Sequence, residues 1–201
     1  MMRKPSTPLS LTALIFFASA FMFNLNATAA GQVTGGKMTT HPDWFKESFL
    51  EIAADVEEAA SSGRHVILFL EMNGCPYCYK MNEDIFKNGP YKAFIQENFD
   101  VIALNVKGDR EVALNEETSA TEKEVAQTLG VRYTPTVLFL NSDNEPVARI
   151  NGYRNVEDFK VILDYVQQKA YEGQTLAGYF NDKAKTEIYT FRDHPQLQAI
   201  D

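Results

Sequence analysis

Two cysteines stand in the whole chain of 201 residues, and they are the first and last residues of one motif: Cys75-Pro76-Tyr77-Cys78. A pair spaced i, i+3 on a helix shares one face, so the two sulfurs can meet. Thiols so placed can cycle between dithiol and disulfide, which is redox chemistry on a protein or small-molecule disulfide. A thiolate attacks one sulfur of a disulfide, and a second thiol resolves the mixed disulfide that forms. Cys75 is the expected nucleophile and Cys78, one turn into the helix, the expected resolving thiol. Three other uses of the pair stay open. A structural disulfide is one, although so short a loop removes little entropy from the unfolded chain. A metal site is another, but His41, His65 and His194 are scattered without ligand spacing, so no metal is expected. A cluster shared between two chains is the third.

The chemistry requires elements that hold the motif. His65-Val66-Ile67-Leu68-Phe69-Leu70-Glu71-Met72 is apolar, β-branched and aromatic, the pattern of a buried strand. Asn73-Gly74 makes the turn that follows. Pro76 falls at the first position of a helix, where its missing N–H has no partner to lose. Cys75 therefore precedes a helix start, where free N–H groups and the helix dipole favour a thiolate and hold a cysteine below its ordinary pKa.

The rest of the chain reads as an ordered series of elements. A first helix is expected over 42–60, with Trp44, Phe45, Phe49, Ile52 and Val56 on one period and Gly63 past its end. Helices follow at 77–86 and 91–98, broken by Gly89-Pro90, then a strand at 101–106. Residues 107–120 read as a polar, acidic loop, longer than a tight strand–helix connection requires. It is either a partner-selecting element or a solvated loop. Thr121 and Glu124 have capping-box spacing and open a helix ending at Gly130. Strands at 136–140 and 147–150 flank the turn residues 141–146. A helix at 156–171 and a shorter one at 176–183 complete the series, before an undetermined tail. The expected fold class is α/β, a central mixed sheet flanked by helices, with an N-terminal helix and a C-terminal helical extension.

The N-terminus predicts export. Arg3 and Lys4 precede an apolar run from Leu9 to Phe23, and Ala27-Thr28-Ala29 has small-x-small cleavage spacing. The run falls short of the roughly 20 residues a span requires, and Ser10, Thr12 and Ser19 interrupt it. The expected organisation is a signal peptide at 1–29, a flexible leader at 30–41, one domain at 42–172 and an extension at 173–201. The expected location is periplasmic, without stable membrane insertion. The chain carries 19 Lys and Arg against 27 Asp and Glu. Arg3 and Lys4 lie in the expected signal peptide, which has no acid, so the remainder is more acidic still. That balance disfavours nucleic acid and anionic membrane as partners.

With these residues in place the chain resembles the thioredoxin superfamily: Cys75-Pro76-Tyr77-Cys78 after an apolar strand, then Tyr133-Thr134-Pro135-Thr136 before another. The resemblance covers roughly residues 43–172. It implies a thioredoxin fold, a cis Thr134–Pro135 bond facing the cysteines, and a Thr134 backbone that pairs with substrate. The run Glu71 to Asn82, the segment Lys107 to Val112 and the secretory signal together resemble the SoxW-type periplasmic thioredoxins, linked to bacterial sulfur oxidation. Members of the superfamily carry a buried aspartate six residues before the first cysteine; here Phe69 occupies that position. Glu71 shares its strand face and is the candidate for the proton-transfer role, the alternative being a solvated residue at the strand end. The usual tryptophan before the first cysteine is Gly74, and the single tryptophan, Trp44, is expected in the core.

The expected function is thus an exported thiol:disulfide oxidoreductase, reducing client proteins that carry disulfides or reactive cysteines. Pro76 and Tyr77 would contact substrate between the cysteines, with Tyr77 tuning the redox poise. Tyr79 and Tyr133 are candidates for an apolar rim or for packing. No nicotinamide or flavin motif is present, so no cofactor is expected and a membrane thiol-relay electron donor is implied. Alternatives are a disulfide oxidase or isomerase, a glutaredoxin-like activity with Lys80 and Arg132 as the few basic groups for glutathione, or a non-catalytic binding module.

Overall fold

The computed structural model describes residues 40–192, with side chains through residue 184. The expected signal peptide at 1–29, residues 30–39 of the expected leader and the last nine residues lie outside the described residues. Among the described residues, no helix is long and apolar enough to cross a membrane.

Four strands form the central sheet: β1 (His65–Glu71), β2 (Phe99–Asn105), β5 (Thr136–Leu140) and β6 (Pro146–Asn151), in the order β2-β1-β5-β6. β1 runs parallel to β2 and antiparallel to β5, and β6 returns antiparallel beside β5. The sheet is mixed, as the order of elements predicts. Every residue of β1 and of β5 is buried, because helices cover both faces.

Alternation along β1 divides the core in two. Ile67 and Phe69 face a cluster rich in aromatic rings: Phe45, Phe86, Phe99, Phe139 and Phe159. Helices α2 (Pro76–Met81), α3 (Lys92–Asn98) and α5 (Val156–Gln167) cover this side. Val66, Leu68 and Leu70 face an aliphatic cluster with Ile52, Val56, Ile102, Leu104 and Leu138, covered by α1 (Ile52–Ser61) and α4 (Glu122–Thr128). The last helix, α6 (Leu176–Arg192), returns Tyr179 to the aromatic side.

Three expectations are corrected. The first helix begins at Ile52 rather than 42. Residues before it turn instead: the Ser48 hydroxyl accepts from the Leu50 amide at 2.7 Å, and Leu50 takes a left-handed φ of 64°. Phe49 consequently points outward, 98% exposed, not into a helix face. The acidic segment 107–120 is largely no loop. It folds into an antiparallel hairpin of β3 (Glu111–Asn115) and β4 (Thr118–Thr121), with Val112 fully buried and Ala113 bridged to Glu51. The helix expected over 77–86 is regular only to Met81, then widens into a π-helical turn at Asn82–Lys87. Elsewhere the cap acts as the sequence predicts. Thr121 and Glu124 close the capping box of α4; the structure adds Asn155 as the cap of α5.

Candidate active site

β1 ends at Glu71, and the chain must reverse within three residues to start α2. Gly74, at φ 72°, supplies the left-handed position of that turn, which closes with the Cys75 amide donating to the Met72 carbonyl at 3.3 Å. Cys75 is then the N-cap of α2 and Pro76 follows inside the first turn. The Cys78 amide donates to Cys75 Sγ at 3.1 Å, so one of the free N–H groups of the helix start is aimed at the sulfur. That contact stabilises negative charge on Cys75 once the pair is reduced.

The two cysteines form a disulfide, Cys75–Cys78. Cys75 is 6% exposed and Cys78 is fully buried, so only the first sulfur is open to an incoming partner. The Thr134–Pro135 bond is cis. It brings the Thr134 carbonyl oxygen to 3.5 Å from Cys75 Sγ and lets the Thr134 hydroxyl donate to the same sulfur at 3.4 Å. Sequence-distant Cys75, Thr134 and Pro135 thus meet at one point. Around them Tyr77, Tyr79 and Tyr133 are each more than half exposed. Their exposure removes the reading of Tyr79 and Tyr133 as core packing.

Glu71 is fully buried, which removes the reading of a solvated strand end. Its Oε1 accepts a hydrogen bond from His41 Nε2 at 2.6 Å, while its Oε2 has no partner among the described residues. Burial of a carboxylate is costly unless it is paired. His41 supplies that pairing from outside the regular elements. Its ring stacks on Phe45 with centroids 5.2 Å apart and meets Phe69 edge-on. Thr40 beside it accepts from the side-chain amide of buried Asn82 at 3.0 Å. The end of the expected flexible leader, residues 40 and 41, is therefore tied to the core. Sequence reasoning missed His41 and Asn82. Nothing local marks a histidine 30 residues before its partner, although Asn82 on a helix face with Cys78 was a readable signal.

Lys80 is a surface helix residue: it pairs with Asp84 at 2.6 Å and lies over the Tyr153 ring. That contact holds the Lys80 ammonium above its ordinary pKa through the hydrogen bond to Asp84. Trp44 is partly buried against the aromatic cluster, in accord with a packing role.

A thioredoxin-like domain model matches residues 52–167, more than half of the chain. The chain belongs to the thioredoxin-like domain family. Among solved structures, it is similar to a thioredoxin-fold protein from Helicobacter pylori, at 21% identity and a TM-score of 0.54. That match covers 62% of this chain and 86% of the other. It is also similar to a thioredoxin from Thermus thermophilus, at 26% identity, a TM-score of 0.44, and 58% and 83% coverage. A third similar structure is a DsbH oxidoreductase, at 12% identity, a TM-score of 0.46, and 69% and 94% coverage. No curated protein matches the chain. Family membership and the Cys75–Cys78 disulfide fit a thiol:disulfide oxidoreductase of the thioredoxin-like group.

Proposed function

We propose that this thioredoxin-like protein is an exported reductant of protein disulfides. The observation that carries the reading is the asymmetry of the pair. Cys75 sits at a helix N-cap beside the cis Thr134–Pro135 bond, and Cys78 lies fully buried behind it. In the reduced protein, the Cys75 thiolate attacks one sulfur of the client's disulfide and expels the other as a thiolate. Cys78 then loses its proton, attacks Cys75 Sγ and releases the client in its dithiol form. The Thr134 backbone, held by Pro135, aligns an extended client segment, and Pro76 and Tyr77 contact it between the cysteines. Glu71, buried on the strand face that α2 covers, accepts the Cys78 proton. A carboxylate is suited to this because a general base contributes on the order of 10²–10⁴-fold to a proton-transfer step.

The leader sequence supports a periplasmic location. The resemblance to SoxW-type thioredoxins supports a role in keeping the cysteine of a sulfur-oxidation partner reduced. Electrons then come from a membrane thiol relay, and clients are exported proteins with disulfides or reactive cysteines. Equilibrating the Cys75–Cys78 pair against a thiol buffer tests the direction. A potential near the ~−270 mV of thioredoxin is expected for a reductant. A potential near the ~−120 mV of strong oxidants would make the protein a disulfide donor and overturn the reductive reading.

A further inference from the structure

Unpartnered buried polar atoms gather, in sequence, around the cysteine motif. Among the described residues, the buried side-chain atoms without a hydrogen-bond partner include Glu71 Oε2, Asn73 Oδ1 and Asn82 Oδ1. All three residues flank the cysteine motif in sequence, and Glu71 and Asn82 are fully buried. Most buried polar groups in folded proteins are paired, so three orphans within eight residues of the motif call for a functional cause. A fourth orphan, Trp44 Nε1, belongs to the segment that carries His41.

That segment is an irregular strap, not part of the sheet. Its three anchors are the Thr40 carbonyl on Asn82, the stacked rings of His41 and Phe45, and the turn closed by the Phe45 amide donating to the Pro42 carbonyl at 3.0 Å. The anchors fix the plane of the imidazole. With that plane fixed, Nε2–H donates to Oε1 of Glu71 and to nothing else among the described contacts.

We infer that His41 is a positioning residue for thiol exchange: it occupies Oε1 of Glu71 so that Oε2 stays oriented and vacant to take the Cys78 proton. The inference rests on the thiol-exchange reading above and adds a role for the strap. In the step concerned, a mixed disulfide joins Cys75 to the client. The Cys78 S–H bond breaks and its proton passes to Oε2 of Glu71. The Cys78 thiolate attacks Cys75 Sγ, the Cys75–Cys78 bond forms, and the bond from Cys75 to the client sulfur breaks. The client sulfur leaves with the electron pair. The dithiol is oxidised by two electrons and the client disulfide is reduced by two. Without the hydrogen bond from His41, the carboxylate rotates among its rotamers and accepts the proton less often.

The alternative is that His41 only fills space between Phe45 and Phe69. Two substitutions separate the possibilities, because they keep opposite halves of the side chain. His41→Phe keeps a ring for stacking and loses the donor; His41→Gln keeps a donor and loses the ring. The reduced full chain is mixed with excess 5,5′-dithiobis(2-nitrobenzoate) and thionitrobenzoate release is followed by stopped flow. The first release reports attack by Cys75, and the second reports ring closure by Cys78. His41→Phe is expected to slow the second phase about tenfold and leave the first unchanged. His41→Gln should recover most of the loss. In a Glu71→Gln background, His41→Phe should add no further slowing, because the two act as one unit. A wild-type second phase in His41→Phe would overturn the inference, as would greater impairment in His41→Gln than in His41→Phe. Absence of any first phase in the unsubstituted protein would instead sink the thiol-exchange reading itself.

Discussion

The two faces of the central sheet each bury a glutamate, and the two are treated differently. On the aliphatic side Glu122, at the first position of α4, is nearly fully buried. Its Oε1 accepts from the Asn105 amide at 2.8 Å and from Arg110 at 2.6 Å. Gly108 lies so close to Oε2 that a Cβ there would collide with it. On the aromatic side Glu71 accepts from the His41 ring on Oε1, and its Oε2 has no partner among the described residues. Glu122 is satisfied by a cation and a backbone amide, so it ties β2, the hairpin and α4 together. Glu71 is left with an open acceptor next to the redox helix. A buried carboxylate held by a cation and a backbone amide is structural, whereas one held by a single imidazole hydrogen bond keeps acceptor capacity beside the redox motif.

The largest effect that sharpens this contrast is on the aromatic side. Cys75→Ser should abolish disulfide reduction, measured as reduction of a protein disulfide with dithiothreitol as electron source, and leave the melting temperature nearly unchanged. Retained client binding without turnover in the unsubstituted protein would favour a binding module. On the aliphatic side Leu68→Ala should cost about 2–5 kcal/mol of stability, read by denaturant unfolding, because Leu68 is fully packed and no site residue touches it. Its rate of thiol exchange under folding conditions should match that of the unsubstituted chain.

The acids themselves give the direct exchange of roles. Glu122→Gln should lose about 1–3 kcal/mol, since a buried charge-assisted pair is weakened, and keep both phases of thiol exchange. Glu71→Gln should slow resolution by Cys78 by about 10²-fold and leave stability nearly unchanged. A reversal, with Glu71→Gln unstable and active, would break the distinction between the two faces.

The smallest effect lies at the start of β1. Burial, with a lesser contribution from Lys169, holds His65 below its ordinary value of 6.5. The unfolded chain therefore binds a proton at His65 before the folded one does. Stability is fully present above pH 6.5 and falls as the pH drops from there toward the lower folded value. His65→Phe should flatten that part of a stability-against-pH curve measured by denaturant unfolding, because the ring faces Phe99 and Tyr171.

What was legible in the sequence follows from how local each signal is. The apolar, β-branched run in 65–72, the proline at 76 and the Thr121–Glu124 box are short-range patterns, and each produced its element. The segment 107–120 hid a hairpin because its acids and Asn115-Glu116-Glu117 outweigh a brief alternation around Val112 and Leu114. The first helix was drawn too long because Trp44, Phe45 and Phe49 keep a helical spacing while Ser48 diverts the backbone. At the site, Cys75, Cys78 and Pro135 were readable from type and context. The pairing of His41 with Glu71 was not, because the strap that makes it has no regular structure and its partner lies 30 residues away.

The central claim is that Cys75 attacks and Cys78 resolves, and trapping the intermediate tests it most directly. Cys78→Ser is reduced, mixed with one equivalent of a disulfide-bonded client peptide and analysed by intact mass. The account predicts a stable covalent adduct carrying one peptide at Cys75, and no adduct in the unsubstituted protein, which releases the reduced peptide. An adduct that forms equally in both, or in neither, would contradict it.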